Sequence, residues 1–200
     1  MIYTQNQVNT LLEENTKKLI EKTFEGELCN DLVSKIGNYT FYSCSNLKGI
    51  SFPNCTTLTN HAFYGCSRLK SINLPVCSSV PYYAFAKCSR LTNVSLPKAT
   101  LLGSNAFRYC SNLTEISLPE CETIRTNAFQ NCGKLEKITL PKESVTQLLN
   151  ANAFSSTPIE ESKFLGAFGS IFVPASLVDA YKNATNWALY SDRIAAIEEA

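Results

Sequence analysis

Ala106-Phe107-Arg108-Tyr109-Cys110-Ser111-Asn112-Leu113-Thr114-Glu115-Ile116-Ser117-Leu118-Pro119-Glu120-Cys121 is one copy of a unit that recurs along most of the chain. Stacking the copies at a step of 22 residues puts Phe41, Phe63, Phe85, Phe107 and Phe129 in one column. Cys44, Cys66, Cys88, Cys110 and Cys132 form a second, and Pro53, Pro75, Pro97, Pro119 and Pro141 a third. A fixed period of this length on an apolar skeleton marks a solenoid, whose units bury their faces only against their neighbours. The fold class that follows is an α/β repeat solenoid of five 22-residue units, one short parallel strand per coil, with an N-terminal helix and a C-terminal helical cap.

The third unit shows how each coil is built. Leu91-Thr92-Asn93-Val94-Ser95-Leu96 alternates so that Val94 and Leu96 point inward and Ser95 outward. Pro97 ends the strand, because proline has no N–H to give to a ladder. Equivalent strands in successive coils run the same way and pair in parallel. The return path, Tyr83-Ala84-Phe85-Ala86-Lys87-Cys88, predicts a short helical turn that sends Phe85 into the core against the Phe of the coils above and below.

Outward from the regular units, which begin at Ile36, the spacing decays. Residues 24 to 35 read as a degraded half repeat, with Leu28 one period before Ile50. At the other end, Pro119 to Ala128 is nine residues but Pro141 to Ala153 is 12, so the array is ending. Ile171-Phe172-Val173-Pro174 predicts a last edge strand. Ser176 and Asp179 predict the cap of a helix through Leu177, Val178, Ala180 and Tyr181. Trp187, Leu189, Ile194 and Ile197 would close the apolar end. The domain plan is therefore an N-terminal helix over 1–23, a solenoid over 24–157 and a strand and helix cap over 158–200.

Residues 4 to 22 predict the N-terminal helix. Thr4 and Gln7 make a capping box, and Val8, Leu12, Asn15 and Leu19 follow the seam spacing of a coiled coil. Folded back over the first coil, this helix is a cap and the chain a monomer, the favoured state. Left open, its seam predicts a homo-trimer.

Composition excludes several classes. Lys plus Arg (18) nearly cancels Asp plus Glu (17), so no overall field would hold nucleic acid or an anionic membrane. No stretch approaches the roughly 20 apolar residues of a membrane span. The N-terminus has neither the basic start nor the apolar run of an export signal, which predicts a soluble chain.

Nine cysteines are present without a C-x-x-C, and the spacing of 11 from Cys44 to Cys88 comes from two columns offset by half a period. The second column reads Cys55, Cys77, Ala99, Cys121, Glu143. Cys alternating with Ala is a small buried filler, so reduced packing thiols are expected, and no metal.

Catalysis finds little support. The single histidine, His61, shares a column with Tyr39, Tyr83, Asn105 and Asn127, and repeat position accounts for it better than an acid–base role. There is no glycine-rich phosphate loop and no acidic cation loop. The expectation is a protein that is not an enzyme and takes no cofactor. Binding has more support. Tyr39, Tyr42, His61, Tyr64, Tyr82 and Tyr83 fall at variable positions of three successive units, and stacking brings them onto one rim. Tyrosine joins apolar area to a polar tip at little entropic cost, which suits contact with a protein or glycan partner. The outward strand column Ser51, Asn73, Ser95, Ser117, Thr139 reads instead as ordinary solvated strand surface.

The unit Ala-Phe-x-x-Cys-Ser-x-Leu-x-x-Ile-x-Leu-Pro resembles the BspA-like leucine-rich repeat family of bacterial proteins, over about residues 36 to 154. The resemblance is carried by Ala62, Ala84, Ala106 and Ala128, by Leu47, Leu69, Leu91, Leu113 and Leu135, and by Ile50, Ile72, Val94, Ile116 and Ile138. The first unit departs from it, with Thr40 for Ala. The segment from Val173 to Trp187 is similar to the terminal segment of such arrays. The resemblance implies a leucine-rich repeat array, a bacterial surface or extracellular location, and adhesion to a host or matrix protein. The stretch from Tyr3 to Leu12 is similar to short helices that begin oligomeric phage tail-fibre segments. It implies the alternative, a structural or receptor-binding part of a phage-like fibre, on the particle or in the cytoplasm.

Solution mass separates the two readings. Light scattering is expected to give a monomer both for the whole chain and for a chain starting at Phe24. A trimer that falls to a monomer on truncation would move the fibre reading ahead.

Overall fold

The structure is a computed structural model that describes residues 26–160 and 169–198. The helix and trimer seam expected over residues 4–22 lie outside the described residues. What is described is a stack of coils whose backbone groups are satisfied from one coil to the next on three sides.

The first side is the expected parallel strand. β1 (Gly26–Cys29), β3 (Leu47–Ser51), β5 (Ser71–Asn73) and β7 (Asn93–Ser95) form one sheet. β9 (Glu115–Ser117), β11 (Lys137–Thr139), β13 (Ser170–Val173) and β14 (Ile194–Ala196) form another. The register is the repeat register: Leu28 pairs with Ile50, Ile50 with Ile72, Ile72 with Val94, and Ile116 with Ile138. The half repeat read at Leu28 is thus a genuine first strand. The bond that closes several rungs is given by the residue just before the proline, as in Leu74 N–H to Ser95 C=O at 3.1 Å and Leu118 N–H to Thr139 C=O at 3.0 Å. Proline then has nothing to give, and the strand stops. Between β7 and β9 the ladder is open, and a cavity of about 540 Å³ lies on the strand face there. Val94, the one valine in the isoleucine column, is half-buried at this break.

The second side corrects the expectation of one strand per coil. Each coil adds a two-residue strand: β2 (Lys35–Ile36), β4 (Thr57–Leu58), β6 (Ser79–Val80), β8 (Leu101–Leu102), β10 (Thr123–Ile124) and β12 (Gln147–Leu148). Their second residues point inward and are buried, which places their backbones within reach of the next coil. The residue that follows donates to the coil before, as Thr59 does to Ile36, Gly103 to Val80 and Arg125 to Leu102. Pro81 holds that position after β6 and has no N–H, and there the ladder breaks, leaving β2-β4 apart from β6-β8-β10-β12. Gly103 sits under the same place. A Cβ on it would lie 2.7 Å from the Pro81 carbonyl carbon, so only glycine admits the close approach.

The third side is the return path. Phe41, Phe63, Phe85 and Phe107 donate their N–H groups to Ala62, Ala84, Ala106 and Ala128 of the following coil at 2.8–2.9 Å. The expected helical turn is replaced by tight turns that begin and end on left-handed residues, such as Tyr83 (φ 55°) and Lys87 (φ 61°). Two left-handed residues in five prevent a helix. The turns drive the rings inward as read. Phe41 stacks on Phe63 at 4.8 Å between centroids, and the column continues to Phe129 with spacings up to 5.6 Å. Phe154 adds a sixth rung, 5.6 Å from Phe129, despite the three inserted residues.

The cysteine columns have a role beyond filling. The Cys66, Cys88, Cys110 and Cys132 thiols donate back to the carbonyls of Phe41, Phe63, Phe85 and Phe107, at 3.0–3.3 Å. Alanine would leave the sulfur's volume empty and the carbonyl one partner short. The second column bonds within its own coil, Cys77 to the Ser79 carbonyl at 3.2 Å. All nine thiols are free.

The C-terminal end is closed by a cap. The expected edge strand, β13, is internal to its sheet, because β14 pairs beyond it. The helix forms at Val178–Asn183, but neither Ser176 nor Asp179 caps it; Leu177 holds the cap position without a side-chain bond. Of the residues expected to close this end, Trp187 and Ile194 are buried, Ile197 is half-buried and Leu189 is 74% exposed, and Tyr181 from the helix is buried with them. Buried Thr146 holds the cap on. Tyr181 Oη accepts from its N–H at 2.8 Å, Trp187 Nε1 donates to its carbonyl at 2.6 Å, and its own hydroxyl donates to the Cys121 carbonyl at 2.8 Å.

Burial pushes the Cys66 and Cys110 thiols well up, and that of Cys121 to about 12, so none of these is a thiolate at neutral pH. In the native protein, exposed Cys29 is expected to react readily with a disulfide reagent, and the eight buried thiols only as the chain unfolds. A colorimetric thiol count with and without denaturant checks this.

Candidate functional site

The rim read from the sequence exists. Tyr39, His61 and Tyr83, one period apart, lie face to face, with centroids at 4.8 and 5.2 Å and ring planes within 14°. Tyr42 and Tyr64 form a parallel pair at 5.0 Å. The two rows touch through Tyr39–Tyr42 at 5.6 Å and Tyr64–Tyr83 at 5.9 Å. Tyr82 stands edge-on to Tyr83 at 4.4 Å. All six residues form one continuous cluster, and its outer members are open to solvent, Tyr39 at 55% and Tyr42 and Tyr82 at 43%.

The backbone explains how the rings come to point outward. Tyr39, His61 and Tyr83 all have φ between 55° and 59°, as do Asn105 and Asn127 of the same column, near 60° and 56°. Asparagine and histidine enter this region more readily than most residues; tyrosine there costs about 1 kcal/mol or more. The neighbouring left-handed column, Ser43, Gly65, Lys87, Tyr109 and Asn131, closes the same turns.

Sequence reading missed part of the site. A cavity of about 780 Å³ lies beside the rings, and Lys87, Arg108, Tyr109 and Ala86 help to line it. The Lys87 ammonium sits 5.2 Å from the Tyr64 ring centre and Arg108 Cζ 4.9 Å from that of Tyr109. The Arg108 guanidinium also donates to Tyr83 Oη at 3.5 Å. The signal was present: 42, 64, 86 and 108 are one column, so continuing past Tyr42 and Tyr64 arrives at Ala86 and Arg108. The tyrosine hydroxyl beside Lys87 raises its pKa and keeps it a cation.

His61 is held between two rings, its Nδ1 is buried without a hydrogen-bond partner, and burial lowers its pKa. Among the described residues, no group of three or more His, Cys, Asp or Glu comes together as a metal site. The cysteine and phenylalanine columns lie in the core, away from this surface.

Because the folded state holds His61 below its ordinary value of 6.5, its neutral form is the native one. The unfolded chain takes up a proton first, so stability falls as pH drops below about 6.5 toward the native midpoint. The imidazole signal of this single histidine is expected to titrate at lower pH in the native protein than in denaturant, as read by proton NMR.

The profile of the family described as "BspA type Leucine rich repeat region" matches residues 34–161 in six copies. A leucine-rich repeat protein from Bacteroides ovatus superposes with a TM-score of 0.63 at 23% identity, over 88% of this chain and 46% of that one. The pneumococcal vaccine antigen PcpA superposes with a TM-score of 0.66 at 12% identity, over 89% of this chain and 42% of that one. The chain thus spans less than half the length of either. A search among curated proteins returned no match. With six stacked phenylalanines, the parallel strands and the six matched copies in agreement, this chain belongs to the BspA type leucine-rich repeat family.

Proposed function

We propose that this chain is a non-catalytic recognition scaffold, and that its tyrosine rim binds a protein partner in adhesion at a bacterial surface. The observation that carries the reading is the cost at which the rim is held. In one column the fold places asparagine at 105 and 127 but tyrosine or histidine at 39, 61 and 83, all left-handed. Asparagine, the easier residue for this backbone, holds the position in the next two coils. Side chains kept against backbone preference, clustered and open to solvent, are the pattern of a site rather than of a scaffold. Tyrosine and serine beside a lysine and an arginine are also the residue types that protein-binding loops favour. The surface location and the adhesive role come from the family resemblance.

The test replaces two ring residues by those that the same columns carry elsewhere, Tyr64→Gln as at Gln130 and Tyr83→Asn as at Asn105. Relief of the left-handed tyrosine and loss of ring stacking are each about 1 kcal/mol and oppose one another. Thermal unfolding is therefore expected to stay within about 1 kcal/mol of wild type, while capture of a host-matrix partner falls at least about tenfold. Unchanged capture by the folded double variant would remove the rim from the function.

A further inference from the structure

We infer that the end of the rim between Tyr64 and Arg108 is a carboxylate-binding subsite, which takes acidic side chains of a protein segment; this rests on the recognition reading above. The cavity there exists because the tyrosine row stops. After Tyr42 and Tyr64, the column has Ala86, which is buried at the cavity wall, and a ring at that position would fill the space. Beyond it comes Arg108.

Among the described residues the cavity is charged in one sense only: its lining includes two cations, Lys87 and Arg108, and no carboxylate, although the chain as a whole is almost neutral. Elsewhere two lysines have acidic partners, Lys98 with Glu120 at 3.7 Å and Lys142 with Glu122 at 2.7 Å. At the rim, the partners of Lys87 and Arg108 are tyrosines. Arg108 is oriented by its neighbours, with Nη1 3.5 Å from Tyr83 Oη and Cζ 4.9 Å from the Tyr109 ring centre, while its Nε–H is buried without an acceptor. A guanidinium oriented by rings, with no carboxylate beside it among the described residues, leaves its outer N–H donors for one.

Ring geometry selects the carrier of that carboxylate. Within each row the rings lie face to face and cover the faces they share, and at the cavity end the Lys87 ammonium sits over the Tyr64 ring, 5.2 Å from its centre. A sugar ring would need an open aromatic face, whereas a Glu or Asp side chain needs donors and cations. The acidic peptide is therefore the occupant, and a carboxylated glycan the competitor to exclude.

The experiment uses the full chain and fluorescein-labelled (Gly-Glu)₄, its (Gly-Gln)₄ counterpart, and oligogalacturonate as the carboxylated sugar. The variants are Lys87→Asn and Arg108→Gln, residues that the same columns carry at Asn131 and Gln130. By anisotropy, the Glu peptide is expected to bind, to weaken with added salt, and to lose about tenfold in affinity with either variant. The Gln peptide is not expected to bind. Equal binding of the two peptides, no saturable binding of the Glu peptide up to about 1 mM, insensitivity to both variants, or oligogalacturonate binding more tightly than the Glu peptide would each overturn the subsite. Should any of these occur while the Tyr64→Gln, Tyr83→Asn variant still loses its matrix partner, the subsite falls and the rim reading stands. Unchanged partner capture by that variant removes both.

Discussion

The structure depends on one constraint: each coil must satisfy its backbone through the next, at a spacing set by the hydrogen bond. The phenylalanine N–H to alanine C=O bonds at 2.8–2.9 Å hold successive coils so that the rings stack 4.8–5.6 Å apart. With the rise fixed, any residue type repeated every 22 positions becomes a physical column. The core is therefore made of like on like, phenylalanine on phenylalanine and cysteine beside cysteine, and the thiols of Cys66, Cys88, Cys110 and Cys132 reach a carbonyl of the coil before. A change of residue in one coil is felt in the next, as Pro81 shows by opening one ladder while the two others at that level persist.

The same constraint makes the surface. The return path of tight turns carries two left-handed residues in each regular coil, and their side chains range from exposed Tyr39, Lys87 and Tyr109 to buried Asn105. The residue types at these positions differ from coil to coil. Three successive coils place tyrosine or histidine there, and the next two asparagine. The rim is thus a local departure from the cheapest sequence for this backbone, over a part of the array that is otherwise regular. The cations at its end extend it, because they belong to the same turns.

An open-ended stack also needs its last coil covered. The three residues inserted after Pro141 do not break the phenylalanine column, since Phe154 still stacks on Phe129. They let the chain leave the repeat path and bring Thr146 to the centre of the cap, where Tyr181 and Trp187 close on it with both ring and hydrogen bond. Aromatic residues with a polar tip suit this position, because the end of a solenoid offers both apolar surface and unpaired backbone.

From the sequence by itself came the period, the inward columns of Phe, Cys, Leu and Ile, the end of each strand at proline, and the six residues of the rim. All of these follow from identity at a fixed spacing, which is local information. The second strand of each coil was not legible, because two residues are too short to show a period; it exists only where the stacking of coils gives those groups partners. Nor was the left-handed geometry of the turns, which depends on bonds between residues 21 or more apart and which turned an expected helical turn into an outward-facing edge. The joining of Lys87, Arg108 and Tyr109 to the tyrosines was decided by the tertiary structure, since the cavity they share is made by a small residue, Ala86, whose meaning appears only when a ring lies one coil below and an arginine one coil above.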